Sequence, residues 1–118
     1  MKGWATRLLT ASALPVLMQA APALAVEREA RCVLISRGQP AWRGACTFSS
    51  RHGGSFSVSA DHPGMHGMTD FSLEITAPGV GRASYMMSSG RHEDGGIMRR
   101  SRRDPACWVA RDYSLCVY

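Results

Sequence analysis

The sequence predicts an all-β fold: a small antiparallel barrel or sandwich of about seven to eight short strands, stapled by disulfides. Three observations carry this expectation. Apolar residues recur with period two in several windows, and no window sustains the 3.6-residue period of a helix. Turn-forming residues, among them 12 glycines and 6 prolines in 118 residues, fall between those windows at hairpin spacing. Four cysteines follow an export leader in a short chain, and an even count there reads as a disulfide framework.

The leader occupies residues 1–25. Lys2 and Arg7 supply a positive start, Leu8 to Met18 is apolar and uncharged, and Ala23-Leu24-Ala25 is the small-x-small pattern a signal peptidase reads. A membrane helix needs roughly 20 apolar residues; this core is shorter and holds Pro15, so it reads as a signal peptide. Cleavage would leave a single domain over residues 26–118, periplasmic or secreted, with no later segment able to span a membrane as a helix. The whole chain has 14 basic and 9 acidic residues; loss of Lys2 and Arg7 leaves 12 arginines against 9 acids, a net charge of +3. That balance is too mild for a nucleic-acid partner, which the compartment also disfavours.

The elements follow in order. Val26 to Arg31 is polar and reads as a short lead-in. Cys32 to Ser36 is a strand, Gly38-Gln39-Pro40 a turn, and Trp42 to Phe48 a second strand. After the turn Arg51 to Gly54, Ser55 to Ala60 alternates so that Phe56, Val58 and Ala60 share the inward face. Asp61 to Thr69 reads as a loop, and Phe71, Leu73 and Ile75 form the inward face of the next strand. Pro78-Gly79 turns the chain into a strand from Gly81 to Met87. Ser88 to Gly96 reads as loop, Ile97 to Arg100 as a short strand, and Arg102 to Pro105 as a turn before a final hairpin.

That hairpin contains the most specific cysteine signal. In CWVARDYSLC the symmetric centre is Arg111-Asp112; a two-residue loop there sets Ala110 opposite Tyr113 and Cys107 opposite Cys116. Ala110–Tyr113 is then a hydrogen-bonded pair, so Cys107–Cys116 falls on a non-hydrogen-bonded one, where the Cβ atoms approach closely enough for a disulfide. Cys32 and Cys46 flank the Gly38-Gln39-Pro40 turn in a similar way. Two local bridges, Cys32–Cys46 and Cys107–Cys116, are therefore the favoured connectivity; the non-local pairings stay open. With no C-x-x-C, the cysteines read as structural.

The landmarks Cys32, Gly44-Ala-Cys46, Gly54-Ser-Phe-Ser57, Gly95-Gly-Ile97 with Arg99, Ala106-Cys-Trp-Val109 and Cys116 resemble a group of small exported bacterial disulfide-bonded β proteins with a C…GxC…GSF…CWV…C layout. The resemblance implies a compact β domain with paired cysteines, implies no activity, and suggests that Trp108 packs against the disulfide beside it.

Two segments carry candidate chemistry. Asp61 to Met68 (DHPGMHGM) brings His62, Met65, His66 and Met68 together, and thioether with imidazole suits copper. Pro63 and two glycines favour the plainer reading, a flexible solvated loop, and no cofactor is expected. Arg99, Arg100, Arg102 and Arg103 form the densest charge run, a candidate anion-binding site. No G-x-S-x-G, H-E-x-x-H or phosphate loop occurs, so no catalytic residue is assigned. The expected function is a non-catalytic exported binding module of the cell envelope, with a protein or anionic polymer as ligand. Inhibitor-like action, as in small exported inhibitors of lysozyme, is an analogy of size and architecture alone. The alternatives are a periplasmic copper-binding protein and, third, a small hydrolase.

Overall fold

Eight antiparallel strands run in simple meander order and close on themselves, β8 returning to pair with β1. The computed structural model describes Gly3 and residues 26–118, so the expected leader otherwise lies outside the described residues. The strands are β1 (Glu27–Ser36), β2 (Gln39–Ser50), β3 (Phe56–Ser59), β4 (Met68–Ala77), β5 (Val80–Met87), β6 (His92–Arg100), β7 (Cys107–Val109) and β8 (Tyr113–Val117). A single 3₁₀ turn, His52–Gly54, joins β2 to β3. The architecture is a barrel and not a sandwich. Closure removes the exposed sheet edges that eight strands would otherwise present.

Alternate residues fill the barrel. Ala30, Cys32 and Leu34 of β1 are buried, as are Phe56 and Val58 of β3, Phe71 and Leu73 of β4, Met98 of β6, Trp108 of β7 and Leu115 of β8. Ala60 and Ile75 pack against this core from its margins. Phe56 lies at the aromatic centre, with ring centroids 5.4 Å from Phe48, 6.2 Å from Phe71 and 6.3 Å from Trp108. No polar or charged residue is buried among the described residues. The interior is filled by apolar side chains, as an eight-stranded barrel of this size permits.

Both bridges are local. Cys107 stands opposite Cys116 in the β7–β8 register, with Cα atoms 3.9 Å apart, and the Ala110 amide donates to the Tyr113 carbonyl across the two-residue loop. Cys32–Cys46 is a diagonal pair: Cys32 faces Gly44, and Cys46 faces Ala30. Both sulfurs point into the core, because both cysteines lie on the inward phase. Trp108 corrects one expectation. It also faces inward, whereas its chain neighbour Cys107 faces out, so it packs on Phe56 and not on the adjacent disulfide.

Three segments differ from expectation. The polar lead-in is strand: Glu27 to Arg31 pair with Ser49 to Ala45, with Ala30 buried. The first hairpin turns at Arg37-Gly38, both with positive φ, one residue earlier than expected, and Pro40 lies inside β2. Proline has no amide to give the ladder, and the register shifts there by a bulge. The third is the polar run after β5, whose turn is only Ser88 to Arg91; Glu93 to Gly96 belongs to β6. Its glycines serve packing. A Cβ on Gly95 would lie 2.6 Å from the Tyr113 hydroxyl and 2.8 Å from Ala83 Cβ, so only hydrogen fits. Tyr113 Oη donates to the Gly95 carbonyl at 2.8 Å.

Candidate functional site

With the barrel filled, the surfaces open to solvent are its wall and its two ends, and the ends differ in chemistry. At one end lie the β1–β2, β3–β4, β5–β6 and β7–β8 connections; at the other lie Val26, the β2–β3, β4–β5 and β6–β7 connections, and Tyr118.

The first end is closed by methionine. The Asp61–Gly67 segment is not the solvated loop expected of it. Met65 and Met68 exchange backbone hydrogen bonds of 2.7 and 3.0 Å, and this folds the segment back over the barrel mouth. Met65 is 0% exposed and Met68 4%. Gly64 makes the reversal feasible: its φ is +84°, and a Cβ would meet the Met68 carbonyl oxygen at 2.3 Å. The structure therefore divides the four candidate metal residues. Met65 and Met68 are core side chains, while His62 and His66 are exposed. A shallow cleft of about 290 Å³ remains, bordered by Met65, His66, Met68, Tyr85, Met87 and Tyr113. A metal ion would find His66 on its rim but no accessible surface on Met65. Among the described residues no three His, Cys, Asp or Glu side chains gather as a metal site.

The second end is closed by arginine. Arg28 continues the inward phase of Ala30, Cys32 and Leu34; Arg100 continues that of Met98. Each is held over an aromatic ring directly across the ladder. Arg28 faces Phe48 in the β1–β2 register with its guanidinium carbon 4.7 Å from the ring centroid. Arg100 faces Trp108 in the β6–β7 register at 5.7 Å. The stems cover the last core rings and the charged heads stay exposed. Backbone oxygens hold both: Arg100 Nε donates to the Pro105 carbonyl at 2.7 Å, and Arg28 Nη1 donates to the Glu29 and Tyr118 main-chain oxygens at 3.4 Å.

No Asp or Glu side chain pairs with either one, and the Tyr118 oxygen that Arg28 meets is that of the last residue in the sequence. The side-chain ion pairs among the described residues are Arg82–Asp94 at 3.1 Å and Arg91–Glu93 at 2.5 Å, both elsewhere. Residues 1–25 contain no Asp or Glu at all. Between the two guanidiniums lies a cleft of about 280 Å³ bordered by Phe48, Phe56, Pro105, Trp108 and Val117. The site is thus two positioned cations with free N–H donors over an apolar floor, a suitable receptor for an oxyanion.

The β6–β7 turn completes this end. Ser101 Oγ accepts from the Arg103 and Asp104 amides, and Asp104 Oδ1 accepts from the Ala106 amide at 3.0 Å. Asp104 Oδ2 accepts the Tyr118 hydroxyl at 2.5 Å. That hydroxyl, followed by the Ala106 amide, holds the Asp104 carboxyl below its ordinary range, and Asp104 in turn holds the Tyr118 phenol above its own. The aspartate is therefore occupied in shaping the turn. Arg99, Arg100, Arg102 and Arg103 are all exposed, and strand phase sets Arg99 apart from the other three. Arg99 points outward beside exposed Val109, Arg100 points to the barrel end, and Arg102 and Arg103 sit in the turn.

No family model, curated protein or solved structure matches the chain. Arg28 falls in the segment that reads from sequence as a polar lead-in, outside any expected site. Its signal was the spacing Arg28-x-Ala30-x-Cys32-x-Leu34, which puts a charge on the core phase of the strand.

Proposed function

We propose that this chain is a disulfide-stapled, exported binding module of the cell envelope that recognises an anionic ligand at its arginine end, without catalysing a reaction. One observation carries the reading. Arg28 and Arg100 both occupy inward positions of the barrel, each fixed over a ring and each without a side-chain carboxylate. Ordering two long cations side by side costs conformational entropy and mutual repulsion. An anion in the cleft between them offsets both. Export is supported by the leader pattern and by the two disulfides, which persist in oxidising compartments.

The test is a charge-matched comparison. Arg28→Gln with Arg100→Gln lowers the net charge by two at this end, and Arg37→Gln with Arg111→Gln lowers it equally at the opposite end. Binding to soluble polyphosphate, measured by calorimetry across a salt series, should fall at least tenfold in the first variant and less than threefold in the second. Equal losses would show only net charge at work and would refute a site at the arginine end.

A further inference from the structure

We infer that the anion met by this end of the barrel is the phosphate layer of an anionic lipid surface, on which the molecule docks end-on. This rests on the arginine-end reading and names its partner. The cleft between Arg28 and Arg100 accounts for two cations, but Arg102 and Arg103 in the β6–β7 turn share that end, both exposed. Arg51, in the β2–β3 connection, instead borders a groove on the barrel wall with Glu74, Glu93 and Asp94. Of the acids nearest the two turn arginines, Asp104 is already committed to Tyr118 and Ala106. A small ion in the cleft would leave the two turn arginines without a role. A planar array of phosphates engages all four at once.

The apolar groups point the same way. Four large apolar side chains are conspicuously exposed among the described residues, and two of them, Val26 and Tyr118, belong to this end. Phe48 and Trp108 lie just beneath the arginine heads. Basic heads above aromatic and aliphatic bodies are the arrangement that suits the boundary between lipid headgroups and acyl chains. The opposite end differs. Its connections carry Arg37, Arg91 and Arg111 against Asp61 and Asp112, and Arg91 is paired with Glu93.

The experiment is co-sedimentation of the purified protein with vesicles of phosphatidylglycerol and phosphatidylcholine, or of phosphatidylcholine alone. Binding is expected only to the former and should weaken with added salt. Each basic residue near an anionic surface strengthens binding about fivefold. Arg102→Gln with Arg103→Gln, both outside the cleft, should therefore weaken vesicle binding by about 25-fold. The same variant should leave polyphosphate affinity within about threefold, while Arg37→Gln with Arg111→Gln should leave vesicle binding within about twofold. Unchanged thermal unfolding of each variant confirms that folding is intact. If polyphosphate binds but vesicles do not, the lipid partner is overturned and the anion site stands. If neither binds, both fall. Vesicle binding that survives Arg102→Gln with Arg103→Gln, or that does not distinguish the two lipid compositions, also overturns the lipid partner.

Discussion

An arginine on the inward phase of a barrel strand has to carry its charge out past the last ring of core side chains. Arg28 and Arg100 do so by lying on Phe48 and Trp108, so the ring shields the stem and attracts the head. At an exposed site such a contact is worth about 0.5–1 kcal/mol. Arg100→Ala should lower stability by about that amount, and the Trp108 fluorescence should change with it. Asp104 and Tyr118 illustrate a second residue-scale device, with a worked sign. The Asp104 carboxyl is held below its ordinary 3.8, so its contribution to stability is full above that value and fades as pH falls through the lowered one. The Tyr118 phenol is held above its ordinary 10.0, so its contribution is full below that and is lost as pH rises through the raised value. Tyr118→Phe removes the shared hydrogen bond. Its unfolding midpoint should be less sensitive than the wild type's to acidification below about pH 4. An unchanged acid limb would mean that the hydrogen bond does not persist in solution.

At the scale of elements, the hairpins carry the covalent staples. Cys107–Cys116 closes the last hairpin outside the core cluster, with Cys116 2% exposed, so Cys107→Ala with Cys116→Ala should cost about 2–4 kcal/mol. Cys32–Cys46 lies within the core, and its removal adds lost packing to lost constraint. The double alanine variant there should be the more damaging of the two in chemical denaturation. The Asp61–Gly67 segment belongs to the core through one side chain. Met65→Ala should cost about 2–5 kcal/mol, as expected for a fully buried methionine. A solvated loop would lose almost nothing. These elements also show what could be read in advance. Where one face of a strand is apolar and the other polar, as in Phe56 to Ala60 and Phe71 to Ile75, the register was legible because a one-residue slip would expose the whole face. The cysteine pairing in CWVARDYSLC was legible for a related reason, since loop length fixes which residues stand opposite. Glu93 to Gly96 was not legible, because glycine and charge mark turns by composition, whereas here Gly95 is set by the approach of Tyr113 and Ala83. Nor was Met65, whose burial depends on a reversal seen only once the barrel mouth exists.

At the scale of the whole molecule, strand phase sorts the chemistry to opposite ends. Methionine and tyrosine close one mouth, and arginine over aromatic rings closes the other. The Arg99–Arg103 run signalled positive charge, but alternation along β6 divides it, and Arg28 joins Arg100 only because β1 follows β8 around the barrel. A linear sequence separates those two arginines by most of the domain. The most direct test of a binding site at this end is to watch the arginine side chains themselves. In a titration of the folded protein with inorganic phosphate followed by ¹H–¹⁵N correlation spectra, the Nε–H signals of Arg28 and Arg100 should shift together and saturate along one binding curve. Those of Arg37 and Arg111 should move little. Shifts spread evenly over all four, with no saturation, would contradict the account and leave this end as no more than a charged cap on a barrel.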